Sequence, residues 1–473
     1  MNPDTAELIA AEPAREFVPG PERSMSARRA PGAVRGWWAG LLADDSRMLA
    51  VRDTWWALWS SRLLVWVAGV GTILAFGFGP VRTAFNPPGV TRGFGWLGDL
   101  LAAPAARWDA AWYLVIAHHG YQTALGSATA SRTAFFPLYP LGLAAIARLG
   151  IPPVAAGVLL SVCALAFALY GIHRLTTLEL PGSRAGETAR LAVLLMAFAP
   201  MAFFFSAVYS ESLYLALSVA LFWCARQGRW ALVGVLGALA AATRSTGIVL
   251  MLPALMLYLY GPREDRVGEA SERARTGWRR VRPRYRLRLD ALWLLLPALG
   301  IALYMAYLGL SGGNALAPFD AQQVWGRHFA GPYLGVWDGI TAAFDGLRQL
   351  LSGPGAHVYF AAGVGSANVA AAHNLLLLAF LVVAVPAIIG AFRLLPSAYG
   401  VYVVVALALP LSYPVASQPL MSLPRFLLVL FPLAMWQASW LARHPRAQRP
   451  ALVGSAALMA CFVAQFATWH WVA

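Results

Sequence analysis

The stretch His373-Asn-Leu-Leu-Leu-Leu-Ala-Phe-Leu-Val-Val-Ala-Val-Pro-Ala-Ile-Ile-Gly-Ala-Phe392 contains no Asp, Glu, Lys or Arg. About 20 such residues in a row is what an α-helix needs to cross the hydrocarbon core of a bilayer. Working outward, comparable apolar runs recur at about 55–79, 153–173, 190–208, 211–225, 230–246, 247–260, 291–310, 398–414, 425–441 and 451–470, eleven in all with 373–392. Those at 211–225 and 247–260 are shorter than a straight span requires, which predicts short or kinked helices shielded by their neighbours. The composition agrees. Of 473 residues, 59% are hydrophobic and 12% charged, with a mean hydropathy of +0.61, against about 25% charged in soluble globular chains. A soluble enzyme or secreted domain is excluded, and the fold class expected is an all-α, polytopic membrane helical bundle.

The balance of 36 basic to 21 acidic residues gives +15, and every basic residue is Arg. The charge lies in the gaps between apolar runs and forms no basic face on a folded domain. It therefore reads as a topology signal, and no nucleic-acid partner is expected. Segment 261–290 carries ten Arg against five acidic residues, which assigns it to the cytoplasm. Counting from there, Arg226 and Arg229, then Arg174, Arg184 and Arg190, then Arg443 to Arg449 all fall inside. That agreement requires Phe135 to Gly150, broken by Pro137 and Pro140, to be a juxtamembrane or half-inserted helix. Residues 1–54 read as a disordered cytoplasmic tail without a cleavable signal, and 55–473 as the membrane domain. Segments 80–152 and 311–372 then face the outside. In the second, Val336, Trp337, Ile340, Phe344, Leu347 and Leu351 oppose Asp338, Asp345 and Arg348, as in a helix lying flat on the bilayer. Cys163, Cys224 and Cys461, scattered through apolar runs, suit core packing and no disulfide framework.

Four constellations can carry chemistry. Arg107-Trp108-Asp109-Ala-Ala-Trp112-Tyr113 has one acid. A carboxylate flanked by Trp108 and Trp112 at a membrane surface is partly desolvated and suits proton abstraction from a hydroxyl, unless it merely opens a helix while the aromatics anchor it. His118 and His119 are either solvated or ligands for substrate or phosphate. Tyr209-Ser210-Glu211 places a charge in strongly apolar surroundings, where it serves a site or else favours a helix N-terminus that Ser210 caps. Arg244, in Thr243-Arg-Ser-Thr-Gly247, and Arg425, in Pro424-Arg-Phe426, suit a phosphate group or snorkel to lipid headgroups. Two acids and two arginines at the external ends of four elements point to one shared site. Acids to activate a hydroxyl and guanidinium groups to hold a leaving phosphate are what glycosyl transfer from a lipid-phosphate sugar requires. A carboxylate metal site is conceivable, but Asp109 and Glu211 alone are too few ligands to argue for one. Trp325, His328 and Trp337 are candidates for sugar contact. The competing class is a transporter or flippase of a lipid-linked sugar, for which internal repeats and mid-membrane polar groups would speak.

The ordered set Arg107-Trp108-Asp109, Ile116-Ala117, Gly120-Tyr121, Phe135-Phe136-Pro137 with Pro140, Tyr209-Ser210-Glu211, Thr243-Arg244-Ser245 with Gly247, and Pro424-Arg425-Phe426 resembles the PIG-V mannosyltransferases. In eukaryotes these add the second mannose to glycosylphosphatidylinositol precursors. The resemblance implies a GT-C glycosyltransferase with a site on the non-cytoplasmic face and polyprenyl-phosphate mannose as donor substrate; the residues themselves point to no certain cofactor. It implies an essential acid at Asp109; related GT-C enzymes carry acids at a second external turn, where Glu211 occupies a comparable place. Arg107, Trp108, Trp112, Tyr121, Tyr209, Arg244 and Arg425 are the residues expected around the substrate. Trp112 and Thr246 depart from the eukaryotic branch, and the all-Arg, Ala-rich composition looks actinobacterial. An envelope glycolipid or glycan acceptor at the plasma membrane follows from that likeness.

Overall fold

The structure, a computed structural model, describes residues 44–80, 85–121, 131–266, 283–353 and 366–472. Among these there is no strand, only helices, turns and isolated bridges such as Arg327 with Val415. Leu49–Ala473 forms one compact unit; of the amino-terminal unit only 44–48 is described, where Asp44 accepts a hydrogen bond from the Ser46 hydroxyl.

Among the described residues, five helices are long and apolar enough to cross a membrane: α1 (Asp45–Phe76), α5 (Pro153–Glu179), the Leu289–Gly312 segment that ends in α10 (Leu296–Gly312), α13 (Ala367–Leu394) and α17 (Pro445–Ala467). The eleven apolar runs thus resolve into five full-length helices and a set of shorter ones. Between α1 and α5 lie α2 (Gly95–Ala102), α3 (Ala110–His119) and α4 (Leu138–Ala147). After α5 come α6 (Ala185–Ala197), α7 (Glu211–Arg226), α8 (Trp230–Thr243) and α9 (Met251–Tyr260). After α10 come α11 (Ala317–Val324), α12 (Pro332–Leu351), then α14 (Ser397–Leu411), α15 (Leu423–Leu428) and α16 (Phe431–Arg443).

The differences from the sequence reading have local causes. Residues 45–54, assigned to a disordered tail, are helical, and 1–43 lie outside the described residues. The run 190–208 stops being α-helical at Ala197, before Pro200, and resumes as a 3₁₀ turn at Ala202–Phe205. Arg62 of α1 holds that break open: its guanidinium donates to the carbonyls of Ala197 and Ala202 and to the Ser206 hydroxyl. A buried arginine is thereby satisfied by the carbonyls that a broken helix leaves without partners. The run 425–441 is likewise two helices, α15 and α16, parted at Val429 and Leu430 with Pro432 opening the second. Helix α4, with ten residues, reaches only about 15 Å, half the hydrocarbon thickness.

Packing follows the small residues. Helix α5 lies against α6 and α7, α7 against α8, α8 against α10, and α13 against α12, α14 and α16. The segment expected to lie on the bilayer is helix α12. Its inward face is glycine and alanine: Gly335 abuts the Leu411 carbonyl, Gly339 the Leu420 side chain and Gly346 the backbone of Ala371. Trp337, Phe344, Leu347 and Leu351 are exposed on the other side, as an interfacial or lipid-facing surface would be.

The basic turns gather at one end. Arg226 bonds Glu179, which also accepts from Tyr399; Glu264 N donates to the Arg226 carbonyl; Arg184 donates to the Ala442 carbonyl and Gln448 to Glu187. Helix α7 runs from this end, at Arg226, to Glu211, about 24 Å away along its axis.

Candidate active site

The chain enters the site through Trp108, which has a left-handed φ of 54°. A bulky residue there costs on the order of 1 kcal/mol and persists only where packing holds it. Phe85, Trp469 and Trp471 pack edge-on or tilted around its indole. Asp109 follows at the N-cap position of α3 but makes no capping hydrogen bond. Its Oδ2 accepts from Arg425 Nη1 at 2.8 Å instead. The carboxylate is therefore not held between Trp108 and Trp112, because Trp112 turns away to stack on Phe135 and meet Trp325.

Glu211 is the first residue of α7 and 0% exposed. Its Oε1 accepts from Arg425 Nε at 3.1 Å, Arg425 Nη2 at 2.8 Å and Arg244 Nη1 at 3.1 Å. Ser210, expected as a cap, makes no cap bond and meets the Tyr113 hydroxyl at 2.9 Å. Arg425 rides on α15, whose N-cap Ser422 also has a left-handed φ, 68°. The faces of Phe204 and Tyr209 lie 4.9 Å from its guanidinium carbon. Arg244 sits in extended backbone where α8 gives way to a 3₁₀ turn, Ser245–Leu250. That turn folds back so closely that a Cβ on Gly247 would come within 2.2 Å of the Ala240 carbonyl carbon and the Ala241 nitrogen. Glycine is obligatory there.

These groups border a cavity of about 340 Å³, lined by Asp109, Tyr113, Arg244, Arg327 and Arg425 together with apolar residues from α10, α11 and α14. The size lies within the range of small-molecule sites. Asp109 retains 17% exposure of its side chain, and its Oδ1 accepts no hydrogen bond from the described residues. Burial, with Glu211 adding to it, pushes the Tyr113 hydroxyl up to about 12, so it stays protonated.

Asp109, Glu211, Arg244 and Arg425 are thus brought together, but with different parts than the sequence suggested. Glu211 lies behind the wall and reaches the cavity only through the arginines that it holds. Arg425 has a carboxylate on each of its three nitrogens, so it is engaged with the acids and is not a free phosphate ligand. Arg107, Trp108, Trp112, Tyr121 and Tyr209 do not line the cavity. They build what stands behind it. Arg107 donates to the Ala467 carbonyl and stacks on Trp469, Tyr209 donates to the Arg107 carbonyl, and Tyr121 to the Phe135 carbonyl. His118 and His119 are exposed and stacked on each other, away from the acids, His118 beside a separate groove. Trp325 does line the cavity; His328 and Trp337 are exposed elsewhere.

Sequence reasoning missed Tyr113 and Arg327. Tyr113 stood inside the quoted motif and its i, i+4 spacing from Asp109 places both on one helical face. Arg327 gave no signal, since an arginine in a polar loop is ordinary.

Residues 84–259 match the family model described as Mannosyltransferase (PIG-V). The resemblance read from the motifs is borne out over that segment, which contains Asp109, Glu211 and Arg244; Arg327 and Arg425 lie beyond it. The chain is 33% identical over 178 residues to GPI alpha-1,6-mannosyltransferase 2 of Rattus norvegicus, covering 35% of this chain and 34% of the rat protein. It is 34% identical over 154 residues to the Mus musculus protein of the same name, covering 30% and 29%. The match thus spans about a third of the length of these curated relatives. No solved structure matches.

Proposed function

We propose that this chain is a plasma-membrane mannosyltransferase that moves a mannosyl residue from a polyprenyl-phosphate donor to an envelope glycolipid or glycan, with inversion. Asp109 takes the proton of an acceptor hydroxyl. The hydroxyl oxygen forms its bond to the anomeric carbon as the bond from that carbon to the phosphate oxygen breaks, and polyprenyl monophosphate departs with the electron pair. Attack opposite the leaving group inverts the centre. Arg425 fixes Asp109 through Oδ2, leaving Oδ1 for the proton, and Glu211 is a positioning residue that holds Arg425 and Arg244 in register. The N-terminus is cytoplasmic and the cavity opens outside, because the cavity and the arginine-rich turns occupy opposite ends of α7.

The observation that carries this reading is the Asp109–Arg425–Glu211–Arg244 relay at the wall of a small cavity, three of its four members inside the segment that matches PIG-V. It is tested in sealed vesicles of known orientation containing the purified chain. Polyprenyl-phosphate mannose and envelope glycolipid are supplied on the face opposite the arginine-rich loop. Mannosylated product of inverted configuration is expected; transfer only from the arginine-rich face, or with retention, would contradict it.

A further inference from the structure

The charges around the cavity do not cancel. Asp109 and Glu211 balance Arg244 and Arg425 through hydrogen bonds of 2.8 to 3.1 Å. Arg327 also lines the cavity, yet among the described residues no carboxylate lies within 4.0 Å of its guanidinium. Its Nη1 donates only to a neutral acceptor, the Tyr413 carbonyl, at 3.1 Å. Burial lowers it to about 10, with Arg425 adding to that and Asp109 opposing, so it is still a cation at neutral pH. A partly buried cation without a counter-charge is expensive unless a ligand brings one.

The residue is also held in place. Its backbone N donates to the Gln322 carbonyl, it pairs with Val415 in a bridge, and Ala330 N donates to the Ser412 carbonyl. The loop after α11 is thereby stitched to the strand of chain that leads into Arg425. Across the same cavity, Arg244 donates to Glu211 through Nη1 alone.

We infer that Arg327, together with the unbonded edge of Arg244, binds the phosphate of the lipid-linked donor, while Arg425 serves the base. This rests on the mannosyl-transfer reading for the identity of the anion. It assigns one of the two phosphate contacts, Arg327, to the segment 311–372, outside the part of the chain that matches PIG-V, and the other, Arg244, to that part. The arrangement separates two tasks that one arginine performs poorly: keeping a carboxylate in position, and stabilising a departing phosphate.

The test is equilibrium binding of a polyprenyl monophosphate, and of the uncharged polyprenol of the same length, to the purified full chain in detergent. Arg327→Gln is compared with native protein and with Arg348→Gln on the exposed face of α12. Arg327→Gln is expected to weaken monophosphate binding by about tenfold or more and leave polyprenol unchanged, with Arg348→Gln like native. Should glutamine fail to fold, Arg327→Met, which keeps the side-chain stem, takes its place. Undiminished monophosphate binding by the variant would overturn the assignment. So would an equal loss for polyprenol, or a native protein indifferent to the phosphate. Because no transfer is measured, failure of mannosyl transfer alongside intact, Arg327-dependent binding would sink the proposed reaction and leave this assignment standing.

Discussion

The carboxylate of Glu211 is 0% exposed, and two guanidinium groups converge on a single one of its oxygens. Breaking such a buried set by removing one charge typically costs about 3–5 kcal/mol, because the partners are left uncompensated. Glu211→Gln is therefore expected to lower thermal stability in detergent by that order and to abolish transfer, with Arg244 and Arg425 both released. A variant as stable and active as native would show that the relay is ornamental. The four charged members were legible in the sequence because ionisable groups beside apolar runs are costly and rarely idle. Their division of labour was not. Asp109 and Glu211 look alike as letters, yet one borders the cavity and the other is sealed behind it. Arg107, Tyr121 and Tyr209 belong to the same motifs and turn out to brace the wall, because a motif records what must be kept and not which side of a wall it occupies.

Among the elements, the breaks matter more than the spans. The site is assembled where helices begin or end: at the starts of α3, α7 and α15 and at the end of α8. Each such point has a device. Arg62 occupies the carbonyls between α6 and α7, left-handed Trp108 and Ser422 redirect the chain before Asp109 and Arg425, and Gly247 lets the turn after Arg244 fold onto α8. Hydropathy alone reads through such breaks, so 190–208 and 425–441 each look like one continuous run. Gly247→Ala tests the last device. The obstructing atoms are backbone, unable to rotate aside, so the substitution is expected to cost about 3 kcal/mol, the upper end of the usual overpacking range. Thermal unfolding would register it, and a loss below 1 kcal/mol would mean that the turn can open.

At the scale of the whole molecule, the chain separates its charges along the bundle. The arginine-rich turns tie together at one end, and the cavity with its acids sits at the other. That polarity was legible in the placement of the arginines between apolar runs. What was not legible is the way the loop after α11 returns to the cavity, since its pairing with 412–415 joins residues remote in sequence. At that end Asp109 borders a cavity that Arg244, Arg327 and Arg425 also line. The most direct measurement is the rate of mannosyl transfer by Asp109→Asn, made in protein whose melting temperature and polyprenyl-monophosphate binding match native. General-base catalysis is worth about 10²–10⁴ in rate. A fall in kcat of that size with little change in donor KM is expected; an unchanged rate would contradict Asp109 as the base.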